Sequence, residues 1–143
     1  MATEASNEIK YDLATHVIDF TLDTFKIILM ADGFVYDKDA HKLYADVSAS
    51  ELAGGNGYAT GGNTLAGIAV TRNDVDDRTE VTWDNTSWTA SGGDIGPTPG
   101  AIIFDDTPTA PADPIVGYID FGGNQTQADG GVATISGIEF RIA

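Results

Sequence analysis

Apolar residues in this chain come in short runs, each closed within a few residues by glycine, proline or carboxylates. The longest, residues 27–31 (IILMA), is far below what a bilayer-crossing helix needs. A chain of 143 residues can bury one core. Built from such pieces, it must do so with many short strands joined by turns, the pattern of an all-β body. The 17 glycines and 5 prolines supply those turns.

The core is expected to gather around residues 79–90 (TEVTWDNTSWTA), which hold both tryptophans, because an indole can bury more apolar area than any other side chain. Val81 and Trp83 share one face of an extended strand, and Trp88 has the opposite parity. A turn at Asp84-Asn85 would let both indoles face inward.

Around this stretch, residues 24–31 (TFKIILMA) read as a central strand covered on both sides. Residues 43–47 read as a short strand. Residues 48–52 read as one helical turn, capped by Ser48 with Glu51 three residues on. A glycine-rich turn region follows at 54–63 around Tyr58, then a strand at 65–71 with Ala66, Ile68 and Val70 on one face, and a charged turn at 73–78. The prolines of 91–100 disqualify that segment from a central strand. Strands are expected again at 101–104 and 115–121, with an exposed proline-rich connection at 105–114 and a hairpin-like loop at 122–131 between and after them. Residues 132–142 read as a last strand whose phase changes at Gly137, where a bulge would restore one inward face and turn Glu139 and Arg141 to solvent. The sum is about seven or eight short strands, favouring a β-sandwich or barrel.

Residues 1–23 differ in composition and read as an N-terminal arm, with residues 24–143 as the β-sandwich domain. Ser6 can cap a short helix, with Glu8 in its first turn and Ile9, Leu13, His16 and Val17 on one face. So short a helix needs a surface to pack on. That surface is either its own domain or a neighbouring chain. Ile9, Leu13, Val17 and Phe20 are the candidate anchors for a clasp on another chain.

The first residues, MATEASNEIK, are acidic and lack the apolar stretch of a signal peptide, so a membrane is not an expected partner. The net charge of -15 repels phosphate backbones and argues against nucleic acid. With no cysteine, thiolate nucleophiles, thiolate metal sites and disulfides are excluded. His16 and His41 belong to no metal or catalytic spacing, and neither a nucleophile elbow nor a phosphate loop is present. Asp37 with Asp39, and Asp74 with Asp76 and Asp77, could offer oxygens to Ca²⁺, although solvated turns are the simpler reading. Tyr36, Tyr44, Tyr58 and Tyr118 could line a sugar site or be half-buried strand residues. No cofactor, metal site or catalytic residue is expected.

The order of segments across residues 22–142 resembles the cement, or capsid decoration, proteins of tailed bacteriophages. The resemblance rests on LDTFKIILM, on YADVSASELAGGNGYATGGNTLAG with its Gly-Tyr-x-x-Gly-Gly turn, on VTWDNTSWTASGG, on AIIFDD, and on IVGYIDFGGNQTQADGGVATI. It implies a jelly-roll-like β-sandwich without enzymatic activity, made in the host cytoplasm. Such a protein binds the major capsid protein from outside the virion and associates with itself as a dimer or trimer. The alternatives are a tail- or fibre-associated β-domain binding a host glycan, for which Tyr58 and Trp88 are the candidate contacts, and a small glycan hydrolase using Asp37 or Asp76.

Overall fold

The computed structural model describes residues 3–143. Its ten strands pair in antiparallel fashion throughout, as the all-β expectation requires. They are β1 (Glu4–Ala5), β2 (Phe25–Leu29), β3 (Asn63–Thr64), β4 (Ala69–Asn73), β5 (Arg78–Thr82), β6 (Thr86–Thr89), β7 (Ile95–Asp105), β8 (Ile115–Gln127), β9 (Val132–Ile135) and β10 (Glu139–Ile142). Helices α1 (Ile9–Ala14) and α2 (Tyr44–Val47) are both short, and a single 3-10 turn covers Ser48–Ser50.

The strands form a five-stranded sheet ordered β1-β8-β7-β2-β3, a three-stranded sheet β10-β5-β4, and a two-stranded sheet β6-β9. The large sheet is apolar on both faces, because alternate residues of β2 and β7 go to different clusters. Phe25, Ile27, Leu29, Ala101 and Ile103 point into the main core, which the two smaller sheets close with Val81, Trp88, Ile135 and Phe140. Ile28, Met30, Ile102 and Phe104 point the other way, under a cover of Phe34, Tyr36, Tyr44 and Val47. Opposite the pair Ile103 and Phe104, Val116 is an extra residue in β8. This bulge lets Ile115 and Tyr118, three positions apart, serve the same face.

The tryptophan stretch bends as its parity demands. β5 ends at Thr82, β6 begins at Thr86 in another sheet, and both indoles are buried. Trp83 packs on Phe20 and Phe25, at centroid distances of 6.2 and 5.6 Å, and Trp88 packs on Tyr58 at 5.7 Å.

Several sequence expectations are corrected. The prolines of 91–100 do lie in a strand of the large sheet. The β7–β8 ladder pairs Ile95, Thr98 and Gly100 with register shifts between them, so Pro97 and Pro99 fall between paired positions and no ladder donor is lost. Of residues 43–47, only Leu43 is extended, in a bridge to Pro114, and the rest form α2, its first turn held by Asp46, whose Oδ2 accepts the N–H groups of Lys42 and Leu43. The strand expected at 65–71 starts at Ala69, because Gly67 sits at φ +66 with the Asp84 carboxylate where a Cβ would be. Most of 122–131 is not a loop: β8 runs on to Gln127. Residues 132–142 are two strands in different sheets, and Gly137, at φ +63, is the crossing point rather than a bulge. The connection 105–114 is exposed in its middle, while its ends, Asp105 and Pro114, are buried.

The packing shows no boundary at residue 23. β1 is a strand of the large sheet, Ile9, Ile18 and Phe20 lie in the main core, and Phe20 stacks on Phe25 at 5.1 Å. Among the described residues, the segment expected as an arm is thus part of the sandwich.

Candidate functional site

The histidines take structural places. Thr15 N–H bonds the Tyr11 carbonyl, and the chain leaves α1 through His16 in the left-handed region at φ 62, its side chain exposed. His41 stacks on Phe34 at 5.4 Å, and its Nδ1 accepts the Asp37 N–H.

The acidic pairs are turn formers. Asp37 Oδ1 accepts the N–H groups of Asp39 and Ala40, which holds its carboxyl below the usual range. Asp39 accepts from Asn7. Asp74 pairs with Arg72 at 2.8 Å, and Asp76 accepts from Asn73 and Arg78 in the β4–β5 turn. Among the described residues, no three carboxylate or imidazole groups are placed to hold a metal ion.

The tyrosines are spent on packing. Tyr58 and Tyr118 are buried, and Tyr36 and Tyr44 are half-buried against the second apolar cluster. Burial pushes the Tyr118 phenol up to about 12, with Asp120 adding to the shift. Tyr58, a candidate glycan contact on sequence grounds, is therefore closed off. Of the four candidate anchors for another chain, Ile9 and Phe20 are buried in this chain's own core and Leu13 and Val17 are half-buried against it. The large apolar side chains this segment leaves outside are Tyr11 and Leu22, at 64% and 82% exposure. The apolar count of residues 6–20 could not separate these roles, because α1 has only six residues and the chain folds back after it.

Two polar clusters were not visible in the sequence. Glu51, expected in a capping box, instead accepts three hydrogen bonds: from Tyr44 Oη at 2.5 Å, Tyr58 Oη at 2.7 Å and Gly61 N at 2.7 Å. Asp105, fully buried at the end of β7, lies against Asp23. Its Oδ1 accepts the Thr107 N–H at 3.0 Å and its Oδ2 meets no donor. Desolvation, then the neighbouring Asp23 side chain, pushes Asp105 up to about 8, so that Asp105 keeps its proton through neutral pH. This pair ties residues 19–24 to the sheet, because Asp23 Oδ2 in turn accepts the Asp19 N–H at 2.8 Å.

A cavity of about 400 Å³ opens between the tails of β7 and β8 and the two-stranded sheet. Its buried floor is Leu29, Trp88, Ile95 and Ile135. Neither Asp105 nor Asp23 reaches it, and among the described residues no ionisable side chain lines it. Among the described residues, no helix is long and apolar enough to cross a membrane. Comparison with family models, with curated proteins and with solved structures returned no match.

Proposed function

We propose that this chain is a structural virion protein that docks on the outer surface of an assembled phage capsid and cements neighbouring capsomers as a homo-oligomer. A jelly-roll strand order, the major capsid protein as partner and a role without catalysis belong to the same reading. The resemblance across residues 22–142 supports it. The observation that carries it is the outer edge of the three-stranded sheet.

β4 pairs with β5 on one side only, and residues 69–72 of β4 are exposed. Val70 on this edge is 46% exposed, and Val75 in the turn beyond it is 92% exposed. An open edge carries unpaired backbone donors and acceptors, and an apolar side chain among them favours adding the strand to a neighbouring sheet. The body behind that edge closes its core without help from another chain. The net charge of -15 keeps free copies apart, and an ordered lattice turns weak contacts into avidity.

Co-sedimentation with assembled capsids, followed by cryo-electron microscopy of the particles, tests this. The protein should pellet with capsids and appear outside the shell between capsomers, and Val70→Lys should release it. Density confined to a tail, or no capsid binding, would overturn the reading.

A further inference from the structure

We infer that the cavity between the β7–β8 tails and the β6–β9 sheet is a binding site for a neutral saccharide. Its floor is aromatic and aliphatic and buried. Phe121, half-buried, forms a wall, and the exposed rim carries amides and hydroxyls, among them Gln125, Thr126 and Thr134. At about 400 Å³ the space falls in the range of small-molecule pockets.

Trp88 is 5% exposed, and its Nε1 is buried with no hydrogen-bond partner among the described residues, so the indole meets an occupant through its ring and not its N–H. Thr98, also on the cavity wall, donates its hydroxyl hydrogen bond to the Gly100 carbonyl at 3.0 Å and keeps lone pairs that can accept. The lining therefore offers acceptors and adaptable amides around an apolar surface.

Charge narrows the choice further. An anion would meet a protein of net charge -15, and a cation would find no carboxylate in the cavity. A purely apolar ligand would leave the amide rim unanswered. An extended peptide pairs through its backbone at a strand edge, whereas here the polar groups are side chains converging on a concavity. A sugar ring has one face of C–H groups for the aromatics and hydroxyls that both donate and accept. The inference is independent of where the protein resides.

Both tryptophans report separately in the indole region of a ¹⁵N-correlated NMR spectrum, and Trp83 serves as the internal control. Glucose, galactose, N-acetylglucosamine and maltose are each titrated into the labelled protein. At least one should shift the Trp88 indole signal saturably and leave Trp83 in place. Gln125→Ala combined with Thr134→Ala, two exposed positions, should raise Kd about tenfold or more with an unchanged melting temperature. The inference fails if none of the four sugars moves Trp88. It fails equally if glucuronate or an extended peptide shifts Trp88 where the neutral sugars do not, or if the rim variant binds as tightly as the parent.

Discussion

The phenol of Tyr58 sits between Glu51 and the backbone of Leu29, donating to Glu51 Oε1 at 2.7 Å and accepting the Leu29 N–H at 3.0 Å. Leu29 faces Ala101 of β7 on one side, while β3, on the other, pairs only as far as Lys26 and Ile27. Tyr58 thus stands in for the missing length of β3. The Tyr58→Phe variant keeps the ring on Trp88 but leaves the buried Leu29 N–H without its acceptor, while Glu51 Oε1 keeps the Gly61 N–H, a loss of about 1–3 kcal/mol. Urea unfolding should show a lower midpoint with an unchanged slope; a midpoint equal to the parent's would mean water replaces the phenol without cost.

The N-terminal segment divides into side chains that hold the fold and side chains that do not. Phe20 contacts Phe25, Phe140 and Trp83, at centroid distances of 5.1, 5.6 and 6.2 Å. Phe20→Ala should cost about 3–5 kcal/mol. Leu22→Ala, at an 82% exposed position, should stay within about 0.5 kcal/mol. Thermal melts of the two variants check this. Near-parent stability of Phe20→Ala would restore the picture of a detachable arm.

The legible parts of this fold are those decided by neighbours in sequence. The double-faced apolar run of β2, the buried run within β7 and the opposed parities of Trp83 and Trp88 each follow from a few adjacent residues. The misread parts depend on partners far along the chain. Pro97 and Pro99 look like strand breakers until the β8 register skips them. Glu51 looks like a helix cap until Tyr44, Tyr58 and Gly61 reach it. Residues 132–142 look like one bulged strand because nothing local says that β9 belongs with β6 and β10 with β5. The cavity was illegible for the same reason: its floor draws on β2, β6, β7 and β9, and Trp88 alone carries no sign that its N–H is unpaired.

The Gly-Tyr-x-x-Gly-Gly turn is set by backbone contact as much as by conformation. A Cβ on Gly62, at φ +66, would lie 1.8 Å from the Ile27 carbonyl oxygen, and one on Gly57, at φ +95, would lie 1.9 Å from that of Thr89. Both neighbours are strand backbone and cannot move aside without breaking β2 or β6. Gly62→Ala should therefore destabilise by well over about 1 kcal/mol. Gly33→Ala, also at positive φ but with open space around it, carries conformational strain alone and should cost less. Comparing the two melting temperatures separates contact from strain; equal losses would assign the whole effect to φ.

The Asp23–Asp105 pair makes stability depend on pH in the sense opposite to an ordinary ion pair. Asp105 has an unfolded pKa near 4 and a folded one raised to about 8. Between those values the folded state holds more protons than the unfolded one, so stability falls as pH rises through the window. Asp12, buried in α1 with its Oδ2 unpartnered, is also raised, by desolvation and then by Glu8, and acts with the same sign. General repulsion from the net charge of -15 adds a similar trend, so the contrast lies in the variant. Asp105→Asn keeps an Oδ1 for the Thr107 N–H and presents an amide N–H to Asp23 at every pH. Unfolding free energies measured from pH 5 to pH 9 should decline more steeply for the parent than for Asp105→Asn, leaving the variant the more stable protein at the alkaline end. Parallel pH profiles would show that Asp105 titrates as an ordinary carboxylate and that its corner takes up no proton on folding.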